Sequence, residues 1–363
     1  MASPVLVDMW RQIASFASLQ TPLQQCTALA LVLTAITFLH SVVTGRHFLV
    51  DRYFWTHSPP LYAFIYLYAE YKLTGELSWR LFAVSALLSV WCIRLTFVFY
   101  RKGGFRGHAE DYRWPIIYKR VEAFTPFPKL SVLLFDLVVY ATYQILLVTM
   151  VACIPLEGLF DFTMNNKQSS TVLLVTDLCF IFALVMSILG AGVADQQQWN
   201  FQCLKHTLLH RQRQGDSVKL PRDVERGFLS SGLWRFSRHP NFFFENLFWW
   251  CLAEYPVVLF YVSGHRNVLM DWGWWLGAGM YSVLFLASTS LTESISASKY
   301  PEYTVYQKRV PGRIIPWFSR VMSSSSHTGQ VLTHKEHSQK HESKKVKIKE
   351  EHPSTRVKKE RLE

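Results

Sequence analysis

Long apolar runs, separated by shorter polar and basic segments, dominate the pattern of this chain. Seven runs are long enough, or nearly so, to cross the roughly 30 Å hydrocarbon core of a bilayer. The second run is short and rich in tyrosine. The pattern predicts an all-α fold, a polytopic membrane helix bundle of about seven transmembrane helices. The runs are residues 26–44, 60–71, 81–100, 130–154, 171–193, 242–262 and 272–291.

The charges between the runs indicate an orientation. Residues 101–129, residues 195–241 and the C-terminal tail are rich in lysine and arginine, whereas residues 155–170 and 263–271 are acidic or nearly neutral. With seven spans, the basic segments fall on one side, which the positive-inside rule assigns to the cytosol. We therefore expect a cytosolic C-terminus and an N-terminus in the lumen or outside the cell.

Amino-acid composition also indicates a membrane protein and suggests where its domains begin and end. The chain is 50% hydrophobic and only 18% charged, which suits an integral membrane protein. Its net charge of +12 favours contact with anionic lipid or an anionic cofactor over nucleic acid. We predict an N-terminal segment (1–25), a transmembrane domain (26–318) and a disordered basic tail (319–363). The six cysteines lie mostly in apolar runs without a Cys-x-x-Cys pair, so no metal site is expected.

A cluster of polar side chains precedes the sixth run. It consists of Arg235, Arg238, His239, Asn241 and Glu245, with aromatic residues between them. Guanidinium groups match phosphate geometry, and a helix N-terminus pointing at an anion adds a favourable dipole. Pro240 and Asn241 predict that a helix starts here, with Asn241 as its N-cap. The alternative is an ordinary basic flank of a membrane helix.

Two further clusters lie on the same predicted side. At the end of the fifth run, Asp195, Gln198 and Gln202 share one helix face, where a carboxylate and amides can bind ribose hydroxyls or a carboxamide. After the last run, a nucleotide pocket could be completed by Tyr303, Tyr306, Arg309 and Arg313. The alternatives are a polar helix end in water and an amphipathic interfacial segment.

Arg94 lies inside the third run. An arginine within a membrane span faces protein or a cavity and has a partner. The chain offers four candidate partners, and the sequence leaves the choice among them open. They are Asp51, Glu70, Glu110 and Asp111.

In this order, the clusters resemble the membrane steroid 5α-reductase C-terminal superfamily, most closely its DUF1295 branch. The resemblance covers roughly residues 30–318 and is most specific at residues 232–241, Gly-Leu-Trp-Arg-Phe-Ser-Arg-His-Pro-Asn. Residues 310–316 are also similar to the end of membrane sterol C14-reductases. The other matching positions are Val50–Arg52 with Trp55, Trp91 with Arg94 and Leu95, residues 110–114, and Ala194, Asp195 and Gln197.

The resemblance implies an NADPH-dependent reductase of a carbon–carbon double bond in a steroid, sterol or related lipid, in the endoplasmic reticulum. Its cofactor pocket would lie on the cytosolic side. Asp195, Asn241 and Glu245 would border the nicotinamide. Asp51 and Tyr62 are the nearest matches to the acid and the tyrosine that assist the reaction in 5α-reductases. The phosphates and adenosine would be held by Arg235, Arg238, His239 and Arg313, with Tyr303 and Tyr306 nearby.

One position departs from the family pattern. The family usually has a glycine before the glutamate, whereas Phe244 precedes Glu245 here. A glycine allows close approach of a cofactor or a helix, and a phenylalanine fills that space. A reshaped pocket or a lost activity is therefore expected, which makes a non-catalytic family member one alternative.

A methyltransferase is the other alternative. Isoprenylcysteine carboxyl methyltransferases share an Arg-His-Pro motif before a helix. Their cofactor, S-adenosylmethionine, has no phosphates and needs fewer guanidinium groups. The number of arginines here favours a phosphorylated cofactor; they are Arg235, Arg238, Arg309 and Arg313.

Overall fold

A computed structural model describes residues 21–106, 111, 113–166 and 171–317. Within these ranges the chain is helical and contains no strand, which confirms the all-α prediction. The predicted tail and Glu110 lie outside the described residues, and the predicted N-terminal segment is described only from Thr21. The helices are α1 (Pro22–Thr44), α2 (Trp55–Thr74), α3 (Trp79–Arg101), α4 (Arg113–Glu122), α5 (Pro128–Asn165), α6 (Thr171–Arg213), α7 (Arg222–Arg226), α8 (Pro240–Val262), α9 (Leu276–Lys299) and α10 (Tyr303–Arg309).

Four of these helices are long and apolar enough to cross a membrane, namely α1, α3, α5 and α6. Many of their apolar side chains face outward, as lipid-facing surfaces require. The chain is therefore a membrane helix bundle. Helices α2, α8 and α9 coincide with the other three predicted runs, and the count of seven spans stays a prediction.

Two helix ends bear on the site. Helix α6 continues beyond the predicted apolar run to Arg213, so Asp195 lies well inside it, in agreement with the predicted helix face of Asp195, Gln198 and Gln202. The N-cap of α8 is His239 rather than Asn241, and the helix begins at Pro240. Proline suits the first helical position because its fixed φ is already helical and its missing N–H has no partner there.

The main core cluster combines aliphatic and aromatic side chains, most of them from α2, α3, α5 and α8. Trp91 and Trp249 pack edge to face at 5.1 Å, and Phe248 stacks on Trp91. Helix α9 approaches α5 closely at Gly277, where a Cβ would lie 2.8 Å from the backbone of Met150 and Val151. This close approach brings α9 against the same core as α8.

The segment after α10 folds back onto the start of α8. Arg238 N donates to Gly312 O at 2.9 Å, and His239 N donates to Arg313 O at 3.0 Å. A Cβ at Gly312 would overlap the carbonyl oxygen of Ile315, so a glycine is required at this crossing. The C-terminal segment thus closes over the Arg-His-Pro motif.

Candidate functional site

Arg94, which is largely buried, has two carboxylate partners on other helices. Arg94 Nη1 is 2.8 Å from Asp195 Oδ2, and Arg94 Nη2 is 2.6 Å from Glu245 Oε2. Trp91, one turn earlier on α3, donates its indole N–H to Glu245 Oε1 at 2.6 Å. The three charged side chains are at most 13% exposed, so this network joins α3, α6 and α8 inside the protein.

These partners differ from the candidates that the sequence left open. Asp51 accepts from Trp114, Glu70 accepts from Ser78 N, and Asp111 pairs with Arg113. Arg94 instead reaches acids 101 and 151 residues away in sequence. Three described candidates were therefore wrong, because helix packing selects the partner.

Unused hydrogen-bonding capacity surrounds this network. Asn241 Nδ2 lies 3.4 Å from Asp195 Oδ1. Asn241 Oδ1, Gln198 Oε1 and Arg94 Nε are buried, and no described residue provides them with a hydrogen-bond partner. Buried polar atoms of this kind are rare in native proteins, and a bound ligand is one way to satisfy them. Two of the three are amide oxygens, which accept hydrogen bonds.

A second ionic cluster lies where α8 begins. Arg238 Nε is 2.7 Å from Glu293 Oε1, and His239 Nε2 is 3.2 Å from the same oxygen. Burial raises the pKa of Glu293, but the hydrogen bonds from His239 and Arg238 lower it by more and hold the pKa at about 2. Glu293 therefore stays ionised near neutral pH and balances the arginine.

Arg238 is fully engaged inside the protein. Besides Glu293, its Nη1 donates to Val310 O at 2.6 Å and to Pro311 O at 3.2 Å. The side chain is only 7% exposed. In this arrangement Arg238 fastens the C-terminal segment to α8 and offers no free edge to a phosphate.

Arg235 and Arg313 do present accessible guanidinium groups. Arg235 is exposed, with Cζ 4.7 Å above the ring of Phe236. Arg313 is 41% exposed; its Nη1 donates to Ser290 Oγ at 2.9 Å, and its Nε lies 3.7 Å from Glu293. Of the four residues assigned to phosphates and adenosine, these two can reach an external anion without breaking a buried contact.

Tyr303 and Tyr306 form a small aromatic core with Phe228 and Val310. The hydroxyl of Tyr306 donates to the carbonyl of Trp234. Both rings are at most 6% exposed. They hold the C-terminal segment near Arg235, which positions that segment around the site.

The structure separates Asp51 from Tyr62. Asp51 lies in a π-helical stretch, Val50–Phe54, and accepts from Trp114 Nε1 at 2.7 Å. Burial raises the pKa of Asp51 to about 6, against the lowering effect of that hydrogen bond. Tyr62 lies on α2, three turns after Asp51, is fully buried, and forms a hydrogen bond with Thr149 at 3.0 Å. Neither contacts the Arg94 network through a hydrogen bond in the described chain.

Phe244 packs against Gly190 of helix α6. A Cβ at Gly190 would overlap the ring, so the absent side chain makes room for it. The ring lies between α6 and α8, one residue before Glu245. The bulky residue at this position is therefore matched by a glycine on the neighbouring helix.

Sequence reasoning missed Glu293, which both Arg238 and His239 contact. It lies two residues after the last apolar run, and the sequence analysis gave it no role. A signal was available, because a carboxylate at the end of an apolar helix, on the side that carries the arginines, requires a cationic partner.

Comparisons with known proteins identify the family of this chain. Residues 37–310 match the family described as "Protein of unknown function (DUF1295)". The chain is 32% identical over 299 residues to the Schizosaccharomyces pombe "Uncharacterized protein C594.04c", covering 79% of this chain and 78% of that protein. No solved structure matches.

Proposed function

The chain belongs to the DUF1295 family, which is of the steroid 5α-reductase-like type, and on this premise we propose that it is an NADPH-dependent reductase of carbon–carbon double bonds in a membrane lipid. The observation that carries the proposal is the buried network of Arg94, Asp195 and Glu245 beside unsatisfied amide oxygens. A buried charge network is costly and marks a functional site by default in a membrane protein.

The residues present fit the nicotinamide and phosphate ends of this cofactor. Asn241 Oδ1 and Gln198 Oε1 need hydrogen-bond donors, and a carboxamide supplies them. Arg235 and Arg313 would hold phosphates, close to the N-terminus of α8, whose dipole also favours anions. When bound, NADPH supplies a hydride, and the protein supplies binding and orientation.

Arg94 has a positioning role in this proposal. Its two ion pairs hold Asp195 of α6 and Glu245 of α8 in place on either side of its guanidinium group. Asp195 in turn accepts a hydrogen bond from Asn241 in the first turn of α8, which would face the cofactor. The hydrophobic substrate would reach the site from the bilayer, between helices that expose apolar side chains.

Ligand-induced stabilisation of the purified protein tests this proposal. We expect NADPH to raise the melting temperature and S-adenosylmethionine to leave it unchanged. Replacing the accessible Arg235 with alanine should weaken NADPH stabilisation without lowering the melting temperature of the free protein. The matched control is Arg211→Ala, an exposed arginine near the end of α6 that forms an ion pair with Asp216. A response to S-adenosylmethionine alone would favour the methyltransferase instead.

A second candidate, a family member without reductase activity, is supported by Phe244. Its ring occupies space that the family leaves open, and it is matched to Gly190. Under this alternative, NADPH does not raise the melting temperature of the wild type. It should raise the melting temperature of the variant Phe244→Gly, which restores the family residue.

A further inference from the structure

Helices α2 and α5 pack against each other, and each carries a row of polar side chains. On each helix these residues recur at intervals of four, which places them on one face. They are Ser58, Tyr62 and Tyr66 on α2 and Thr149, Cys153, Glu157 and Asp161 on α5. All except the two acids are at most 8% exposed. Polar side chains inside a membrane bundle are costly, so a row of this length indicates a function.

A hydrogen-bonded pair of hydroxyls connects the two rows. The hydroxyl oxygens of Tyr62 and Thr149 are 3.0 Å apart. Thr149 Oγ1 donates its own hydrogen to Ile145 O at 2.7 Å, so the bond between the two hydroxyls uses the hydrogen of Tyr62. The oxygen of Tyr62 keeps lone pairs that can accept a further hydrogen bond. Tyr62 can therefore receive a proton from the rest of the row.

One turn further along, the row contains polar atoms with unused hydrogen-bonding capacity. The Tyr66 hydroxyl and Glu157 Oε2 are buried, and neither has a hydrogen-bond partner of normal geometry in the described chain, although the two groups are neighbours. The ionisable groups that interact with Glu157 are Tyr66, Cys153 and Asp161, none of which is a cation. An uncompensated carboxylate in a membrane span is costly, and binding a proton removes its charge. Glu157 is therefore suited to hold a proton that Tyr66 can accept.

The outer end of the row lies where helix α1 begins. Cys153, one turn before Glu157, contacts Cys26, which is in the second turn of α1. Beyond Glu157, one turn further along α5, Asp161 is exposed. The orientation that the loop charges predict places this end of the bundle in the lumen or outside the cell. The row thus leads from an exposed acid at one membrane surface to the fully buried Tyr62.

We propose that Glu157 is a proton-binding carboxyl and that Tyr66 and Cys153 connect it to Tyr62, so that α2 and α5 form a proton path into the bundle. Each hydroxyl or thiol on this path can donate one hydrogen and accept another, so it is unchanged after a proton has passed. Reduction of a double bond consumes one hydride and one proton, and the family resemblance assigns Tyr62 to assisting that reaction. The use of the proton rests on the proposed function, whereas proton binding at Glu157 does not.

Infrared spectroscopy of the full-length protein in dodecyl maltoside tests proton binding. A protonated carboxyl has a C=O stretching band that an ionised carboxylate lacks, and a glutamate in water, with a pKa of about 4.3, is ionised at about pH 7. At this pH we expect a band in the wild type that is lost in Glu157→Gln and shifted in Tyr66→Phe. Asp161→Asn changes the exposed acid one turn further along α5; it is the matched control and should retain the band.

Hydrogen exchange at the Tyr62 hydroxyl tests the path itself. In protein with tyrosine isotope-labelled at Cζ, transfer to deuterium oxide shifts the Cζ resonance as the hydroxyl exchanges, and Tyr62→Phe assigns that resonance. We expect exchange to be slower by about tenfold or more in Tyr66→Phe and in Glu157→Gln, because it then requires local opening of the bundle. Tyr68→Phe, which changes an outward-facing tyrosine of the same helix, is the matched control and should leave the rate unchanged.

The variants are chosen so that folding is preserved. Tyr66→Phe removes a hydroxyl without a hydrogen-bond partner, and Glu157→Gln keeps the shape of the side chain. The absence of a neutral-pH band assigned to Glu157, or an unchanged exchange rate at Tyr62 in both variants, would overturn the proposal. Stabilisation by NADPH, measured on the same samples, separates the two proposals, because its absence rejects the reductase function and leaves the proton path intact.

Discussion

Replacing Arg94 with leucine should destabilise the protein strongly. The change removes the cation from two buried ion pairs, 2.8 and 2.6 Å long, and leaves Asp195 and Glu245 facing each other in the core. Removing one partner of a buried ion pair costs about 3–5 kcal/mol, because the remaining charge is uncompensated. Since two carboxylates lose their partner here, we expect the loss in free energy of unfolding to reach the upper part of that range.

Equilibrium unfolding in mixed detergent micelles, followed by circular dichroism, measures this loss. Arg101→Leu is the matched control, because Arg101 lies two turns further along the same helix. It bonds the neutral side-chain oxygen of Gln196 and the backbone carbonyl of Asp195, so no carboxylate loses its partner. We expect it to cost about 1–2 kcal/mol.

A triple variant without any of the three charges distinguishes the effect of unpaired charge on stability from the effect of lost packing. Combining Arg94→Leu with Asp195→Asn and Glu245→Gln removes every charge of the network, so part of the lost stability should return. If Arg94→Leu destabilises no more than Arg101→Leu, or if the triple variant is no more stable than Arg94→Leu alone, the argument from buried charge is refuted.

Three further predictions concern the C-terminal segment after α10 and the close crossing of α9 and α5. Because Glu293 has a pKa of about 2 when folded, against 4.5 ordinarily, its contribution to stability is present above about pH 4.5 and is lost as the pH falls toward 2. Melting curves from pH 6 to 3 should therefore fall more steeply for the wild type than for Glu293→Gln. Gly312→Ala should loosen the C-terminal segment, seen as faster limited proteolysis after residue 300, because its Cβ would overlap backbone. Gly277→Ala should lower the melting temperature, whereas Gly279→Ala should not, because only the first glycine touches the backbone of α5.

The helical architecture was largely predictable from the chain alone. Apolar runs of membrane length and the polar segments between them are local properties, and four of the predicted runs correspond to helices that can span a bilayer. The full length of α6 was not predictable from apolarity, because the helix continues through polar residues to Arg213. Asp195 and Gln197 lie in this polar part, and each has a partner on another element.

The site was predictable as a set of residues and not as an arrangement. The predicted cofactor residues fall into two groups, one around Arg94 and one around Glu293. Arg238 illustrates the difference. Its motif suggests phosphate binding, but its guanidinium group is hydrogen-bonded to Glu293 and to backbone carbonyls of the C-terminal segment. Nothing local to residues 235–241 shows that this segment returns to cover them.

By itself, then, the sequence determined the class of protein, the approximate helices and the fact that Arg94 requires a buried partner. Hydrophobicity and the cost of an unpaired charge in a membrane follow from residue type and position along the chain. The tertiary structure alone decided which acids pair with Arg94, which arginines remain accessible and how Phe244 is accommodated by Gly190. Those outcomes depend on which helices touch, and contacts between residues more than 100 positions apart leave no mark on the local pattern.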